Sequence, residues 1–170
     1  IDKIDFNPTL LFAKECGMKF LFISRKDYQL KTEKAFIDIL KSKFGHFYLI
    51  PEGGTNQFAV KGCSEILEKE DLNYDFICAS VGTGGTLAGL IKSSKNSQNV
   101  IGFSALKGTF QVSDINKYTC KSNFKLLDDY CFGGYAKVNG QLVNFMNTFK
   151  EITAIPLDPI YTGKMMFGII

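Results

Sequence analysis

Ser80-Val81-Gly82-Thr83-Gly84-Gly85-Thr86 is the run of residue types best suited to chemistry in this sequence. It follows the apolar stretch 74–79 and leads into residues with helical periodicity. Glycines let backbone N–H groups approach an anion closely, threonine hydroxyls add donors, and a helix start supplies partial positive charge. A strand, a loop and a helix in that order can therefore cradle a phosphate. The same pattern also serves simply as a turn, and the loop alone does not separate the two readings. No Lys-Ser or Lys-Thr follows the glycines, so it is not a Walker loop. The third glycine of a dinucleotide fingerprint is also missing. A phosphate anchored on another cofactor fits better, with pyridoxal 5′-phosphate the first candidate.

Two further motifs bear on that choice. One is Leu49-Ile50-Pro51-Glu52-Gly53-Gly54-Thr55-Asn56, and the other is Leu157-Asp158-Pro159-Ile160-Tyr161-Thr162-Gly163-Lys164-Met165-Met166-Phe167-Gly168. With the loop, and in this order, they resemble the family of D-cysteine desulfhydrases and 1-aminocyclopropane-1-carboxylate deaminases. These are pyridoxal-phosphate enzymes of the tryptophan-synthase-like fold type II. The resemblance runs from Asn7 to the last residue and is weakest across 111–127; its most specific element is the run 158–164. It implies that Thr83, Gly84, Gly85 and Thr86 bind the cofactor phosphate. It also implies that Tyr161 lies beside the cofactor ring, where it can take part in proton transfer, and that Thr162 faces the pyridine nitrogen.

The deaminases of the family carry Glu at that last position, whereas the desulfhydrases carry Ser or Thr. A carboxylate keeps the nitrogen protonated and the ring a strong electron sink, while a hydroxyl is a weaker partner. Thr162 therefore favours β-elimination from D-cysteine, giving pyruvate, sulfide and ammonia. Opening of the cyclopropane ring to 2-oxobutyrate and ammonia is the alternative. By residue type and place, Thr162 also suits the cap of a final helix.

Gly54, with Gly53, either lets the backbone pass close to the cofactor or makes a tight turn into a helix capped by Asn56. Tyr135, in Asp128-Asp129-Tyr130-Cys131-Phe132-Gly133-Gly134-Tyr135, resembles the family tyrosine that approaches the substrate, although the Gly that usually follows is Ala136 here. A packed surface tyrosine is the plainer reading. Lys164 and Lys107 read as surface or supporting charges, and Asp158, before Pro159, reads as a turn residue.

The chain has 170 residues, enough for one ordinary domain, whereas enzymes of this family are about twice as long. The lysine that carries the cofactor in the family, and the Ser-x-x-Asn-His motif after it, lie in an N-terminal segment with no counterpart here; the one histidine is His46. The resemblance thus implies the central and C-terminal portion of a lyase, inactive by itself. A short paralogue that binds a phosphorylated small molecule without catalysis is a reading of another class.

Composition is ordinary for a globular protein: 45% hydrophobic and 22% charged residues. A net charge of +3 with scattered lysines does not point to nucleic acid. No apolar run approaches membrane-spanning length, and the start does not resemble a signal peptide. Five widely spaced cysteines form no CxxC pair, which argues for reduced thiols in a cytoplasmic protein and against a metal site. The expected partner is a small amino-acid substrate, and the parent protein is expected to be a homo-oligomer.

The elements that must position these residues alternate. Helices are predicted from Asn7-Pro8 to Gly17, across 27–44 ending at Gly45, from Asn56 across 57–70, from Thr86, across 141–150 and from Thr162. Strands are predicted at 19–23, 47–50, 74–80 and 100–104, and 92–99 reads as a surface loop. The alternation predicts an α/β fold, a parallel sheet flanked by helices. The resemblance divides it at Pro51, with 1–50 ending a small domain and 51–170 belonging to a large one.

Overall fold

The computed structural model describes residues 6–170 and divides into two compact units, the second beginning at Ile50. In the first unit, α1 (Pro8–Glu15) starts where the Asn7 side chain accepts from the Leu10 N–H at 2.9 Å, with Pro8 in the first turn. Gly17 adopts φ +86° just beyond its end. The single helix predicted over 27–44 is instead two, α2 (Arg25–Gln29) and α3 (Lys34–Phe44). Ser24 caps α2 through the Asp27 N–H, which starts it early, and the chain then turns at 30–33 before α3 begins. Gly45, at φ +75°, closes α3.

The strands predicted at 19–23 and 47–50 do not form, because neither segment has a strand partner among the described residues. Apolar alternation marks a candidate strand, but only ladder bonds make one. Phe20 and Phe22 instead stack at 6.1 Å, with Phe6 edge-on to both.

The second unit holds the core. Its sheet is β1 (Phe76–Val81), β2 (Asn99–Ser104) and β3 (Phe124–Leu127), all parallel in that order. Parallel neighbours need a crossover, and α5 (Gly85–Ser93) supplies it between β1 and β2. The other helices are α4 (Gln57–Cys63), α6 (Gln111–Ile115), α7 (Gly140–Thr153) and α8 (Thr162–Ile169). Leu87, Ala88, Leu90 and Ile91 of α5 pack with Val60, Val81, Val100, Ile115 and Leu126. Each large side chain among them contributes roughly 1.5–3 kcal/mol by leaving water. The predicted α/β sheet with flanking helices is therefore observed, and β3 and α6, both within 111–127, are additions to it.

α4 stops at Cys63, where the sequence pattern predicts a helix to Glu70; Ser64 caps it and its hydroxyl turns back to the Lys61 carbonyl at 2.6 Å. The stretch 92–99 is more than a surface loop, since Ser94 and Gln98 are buried. Gln98 Nε2 donates to the Asp71 and Tyr74 carbonyls, and Asn123 Nδ2 to Ser94 Oγ and the Lys95 and Gln98 carbonyls. All five cysteines are free. Burial raises the Cys78 thiol pKa, in keeping with a packed strand residue. Among the described residues, no helix is long and apolar enough to cross a membrane.

α5 is positioned by close approach. A Cβ on Gly89 would lie 2.4 Å from Cys63 Cβ and 2.7 Å from the Cys63 carbonyl carbon, and one on Gly102 would lie 2.5 Å from Leu87 Cδ2. Gly62, in α4, has nothing within 4 Å of its Cβ position. Replacing an interior helical glycine by alanine ordinarily gains up to about 1 kcal/mol, but overpacking against backbone costs about 1–3 kcal/mol. Gly62→Ala is therefore expected to raise the urea midpoint of the chain and Gly89→Ala to lower it. Equal shifts in the two variants would refute the close-packing account.

Candidate functional site

β1 ends at Val81, and the chain passes through Gly82 and Thr83 to Gly84, which sits at φ +91° immediately before α5. A side chain at Gly84 would be strained by that φ and would also press on Ile115 Cγ1 at 2.9 Å. No side chain caps α5. Its first-turn N–H groups are therefore left for another acceptor, in the positive field of a nine-residue helix. A cavity of about 650 Å³ opens over this turn. Its wall includes Gly53, Thr55, residues 82–86, Leu106, Tyr135 and Tyr161.

Thr83, Gly84, Gly85, Thr86, Tyr135 and Tyr161, picked out in the sequence, thus meet on one cavity. Gly54 and Thr162 do not line it.

The second loop interlocks with the first. Thr55 Oγ1 and Thr83 Oγ1 are 2.6 Å apart and hydrogen-bonded. A Cβ on Gly53 would sit 2.6 Å from Thr83 Oγ1, and one on Gly85 2.7 Å from Thr55 Oγ1. Gly53 is therefore the glycine of close approach. Gly54 has open space around it and serves the turn: its N–H donates to the Pro51 carbonyl at 2.8 Å, at φ +68°. Asn56 caps α4 through the Ala59 N–H, as the sequence predicts.

Gln111 carried no sequence signal and yet supports the cradle. It is 1% exposed, and its Nε2 donates to the Gly82 carbonyl at 3.2 Å and to Ser104 Oγ at 2.9 Å. Because a peptide is planar and trans, holding the Gly82 oxygen on one side turns the Thr83 N–H to the other.

The Tyr135 and Tyr161 rings meet edge to face with centroids 6.2 Å apart. Tyr161 lies directly over the loop, since a Cβ on Gly82 would be 3.3 Å from its hydroxyl. Partial burial, then the neighbouring Tyr135 hydroxyl and the Asp158 charge, raise the Tyr161 pKa. Tyr135 is 53% exposed, yet it forms part of the cavity wall rather than bare surface. The following Ala136 takes φ +56°, a conformation that favours glycine.

Asp158 organises the start of α8. Its Oδ1 accepts from the Ile160 and Tyr161 N–H groups at 2.9 and 2.7 Å. Its Oδ2 accepts from the Thr162 N–H at 2.9 Å and from the Thr162 hydroxyl at 2.5 Å. Thr162 Oγ1 in turn accepts from the Asp158 N–H at 2.9 Å. Thr162 is the first helical residue and not the cap, so the capping expected of it is performed by Asp158.

Lys164 is not a surface charge. It is 2% exposed, and its ammonium donates to the Cys131 and Gly134 carbonyls, each at 2.8 Å. Burial lowers its pKa, opposed by Cys131 and Asp158.

No family model matches the chain, but curated proteins match most of its length. A Thermotoga maritima protein named, provisionally, 1-aminocyclopropane-1-carboxylate deaminase is 31% identical over 96% of this chain and 60% of its own. A Pyrococcus horikoshii protein named in the same provisional way is 28% identical over 99% of this chain and 58% of its own. An Arabidopsis thaliana protein named bifunctional D-cysteine desulfhydrase/1-aminocyclopropane-1-carboxylate deaminase, mitochondrial, is 28% identical over 95% of this chain and 46% of its own. The crystal structure of an ACC (1-aminocyclopropane-1-carboxylate) deaminase homologue superposes with TM-score 0.75 at 25% identity, covering 94% of this chain and 55% of that one. The resemblance carried by the three motifs therefore extends over most of the chain. The chain spans about half to three-fifths of the length of these relatives.

The Asp158 geometry predicts an acid limb in stability. Partial burial alone would raise the carboxyl, but the bonds from the Thr162 hydroxyl and from three backbone N–H groups outweigh it and bring its pKa from 3.8 to about 2. A depressed folded-state value contributes stability that is present above the unfolded pKa and lost as pH falls through about 2. Asp158→Asn is expected to lower the thermal midpoint at neutral pH and to flatten its dependence between about pH 4 and pH 2. An unchanged acid limb in that variant would remove Asp158 as its source.

Proposed function

We propose that this chain, a homologue of the 1-aminocyclopropane-1-carboxylate deaminase and D-cysteine desulfhydrase proteins, forms the phosphate-binding and aromatic part of the active site of a pyridoxal-phosphate-dependent lyase. The observation that carries the reading is the uncapped first turn of α5, opening into a 650 Å³ cavity beside two tyrosines in contact. The donor set suits a phosphate dianion: first-turn N–H groups and the Thr83 and Thr86 hydroxyls, on a loop whose glycines leave room for an anion to come close. When bound, pyridoxal phosphate supplies a ring that draws off the charge developing at the substrate's α-carbon.

The residues of this chain bind, orient and hold protons around that ring. Thr83, with its hydroxyl fixed by Thr55, and Thr86 hold the phosphate end. Tyr161, its pKa raised, keeps its phenolic proton at neutral pH and is suited to donate it to a leaving group. Tyr135 closes the wall beside it. Among the described residues no lysine lines the cavity. We therefore place the cofactor-carrying lysine outside this set and expect the 170-residue chain alone to be inactive.

The reaction we favour is β-elimination, in which D-cysteine and water give pyruvate, hydrogen sulfide and ammonia; Thr162 in place of a carboxylate supports it. Ring opening of 1-aminocyclopropane-1-carboxylate is the second reading. It is supported by the names of the relatives and by the carboxylate of Asp158 directly behind Thr162.

Two measurements on the full-length protein test this. Supplied with pyridoxal phosphate and each substrate separately, it is expected to give pyruvate and sulfide from D-cysteine. Release of 2-oxobutyrate from the cyclopropane substrate instead would reverse the substrate assignment. Cofactor binding without turnover of either would identify a non-catalytic binder. Gly53→Ala, which presses on Thr83, is expected to weaken pyridoxal-phosphate binding by about tenfold or more in an absorbance titration. Unaltered affinity would dissociate this loop from the phosphate site.

A further inference from the structure

Lys164, the third residue of α8, is among the largest fully buried side chains of the described residues. No described carboxylate pairs with it, and its ammonium rests on two carbonyls alone. Taking an ammonium out of water on neutral partners is costly, and natural folds seldom retain one without a use.

The turn it holds is strained. Phe132, Gly133 and Gly134 take φ +53°, +93° and +124° in succession, the first without the freedom of glycine. Backbone of this kind persists only where its surroundings over-determine it. The Cys131 carbonyl also accepts from the Gly134 N–H at 3.1 Å, and the Gly134 carbonyl from the Lys137 N–H at 3.2 Å. Lys164 thus joins the first and last carbonyls of the turn, while the Phe132 ring meets Phe167 of the same helix at 5.0 Å. The residue after the turn is Tyr135, and the residue before α8 is Tyr161.

We propose that Lys164 is a positioning residue: by clamping the 131–134 turn to the first turn of α8, it sets Tyr135 against Tyr161 over the phosphate cradle. The proposal rests on the lyase reading of the cavity. Lys164 itself does not line the cavity, and its donors are committed to carbonyls, so it acts through the tyrosines and not on a ligand.

The test uses the full-length protein with Lys164→Met and, should that variant not fold, Lys164→Gln, which keeps a shorter donor. In the cofactor-free protein with ring-labelled tyrosine, the Tyr135 resonance, assigned with Tyr135→Phe, is expected to shift while that of Tyr74 stays in place. Pyridoxal-phosphate affinity is expected to stay within about twofold, with kcat falling on the order of tenfold to a hundredfold and KM changing far less. In the Tyr135→Phe background, Lys164→Met is expected to cost no more than about a further twofold, because the two act as one unit. An unmoved Tyr135 resonance, fully additive losses, or loss of fold in both Lys164 variants would overturn the proposal. A protein that neither binds the cofactor nor turns over either substrate would end the lyase reading alone, since the Tyr135 resonance still reports on the clamp.

Discussion

The backbone of α5 is held where no Cβ would fit, and the site depends on that placement. On one side Gly89 lies against Cys63 of α4, at the start Gly85 lies against Thr55, and on the sheet below Gly102 admits Leu87. Buried Leu87 and Ile91 then fix the rotation of the helix on its strands. A helix pinned at three places by small residues has little freedom to slide. Its open first turn therefore stands at a fixed point beyond the carboxyl ends of β1 and β2, where parallel α/β sheets present their ligands.

Around that turn, side chains direct the backbone more often than they face the cavity. Gln111 holds the Gly82 carbonyl, Asp158 gathers three N–H groups ahead of α8, and Lys164 gathers two carbonyls of the turn before Tyr135. Gln111 and Asp158 take up main-chain groups of irregular segments, and Lys164 adds a second bond to carbonyls that the turn already pairs. Beside the Glu52 carboxylate, the Cys63 thiol and apolar side chains such as Leu106, the cavity wall carries hydroxyls, glycines and phenols whose geometry is set from behind.

What could be read from the sequence divides along the same line. β1, β2, α5, the Asn7 and Asn56 caps and the Gly45 stop follow from local pattern, because each is decided by residues adjacent in the chain. That the Gly/Thr loop and both tyrosines share one cavity was legible through motifs. Gln111 and Lys164 were not, because a polar residue on a helix looks alike whether it meets water or a carbonyl 29 or 30 residues away. β3 and α6 were missed because four- and five-residue elements carry too little periodicity to register. The extended runs at 19–23 and 47–50 show the converse failure, a local pattern without, among the described residues, a partner strand to complete it.

Thr162 shows how far a residue type can be trusted once its neighbours are known. Taken alone, a hydroxyl opposite a pyridine nitrogen is a weak partner. Here its proton is given to the Asp158 carboxylate at 2.5 Å, and that carboxylate is held ionised to about pH 2. Thr162 Oγ1 also accepts from the Asp158 N–H, so toward any further group it presents a lone pair and not a proton. Polarised by the charge behind it, that oxygen is a better acceptor than a free hydroxyl, and it favours a protonated partner more than residue type alone suggests. The contrast between Thr and Glu at this position is thereby softened. On the proposed lyase reading, the two candidate reactions are then separated less sharply by this residue.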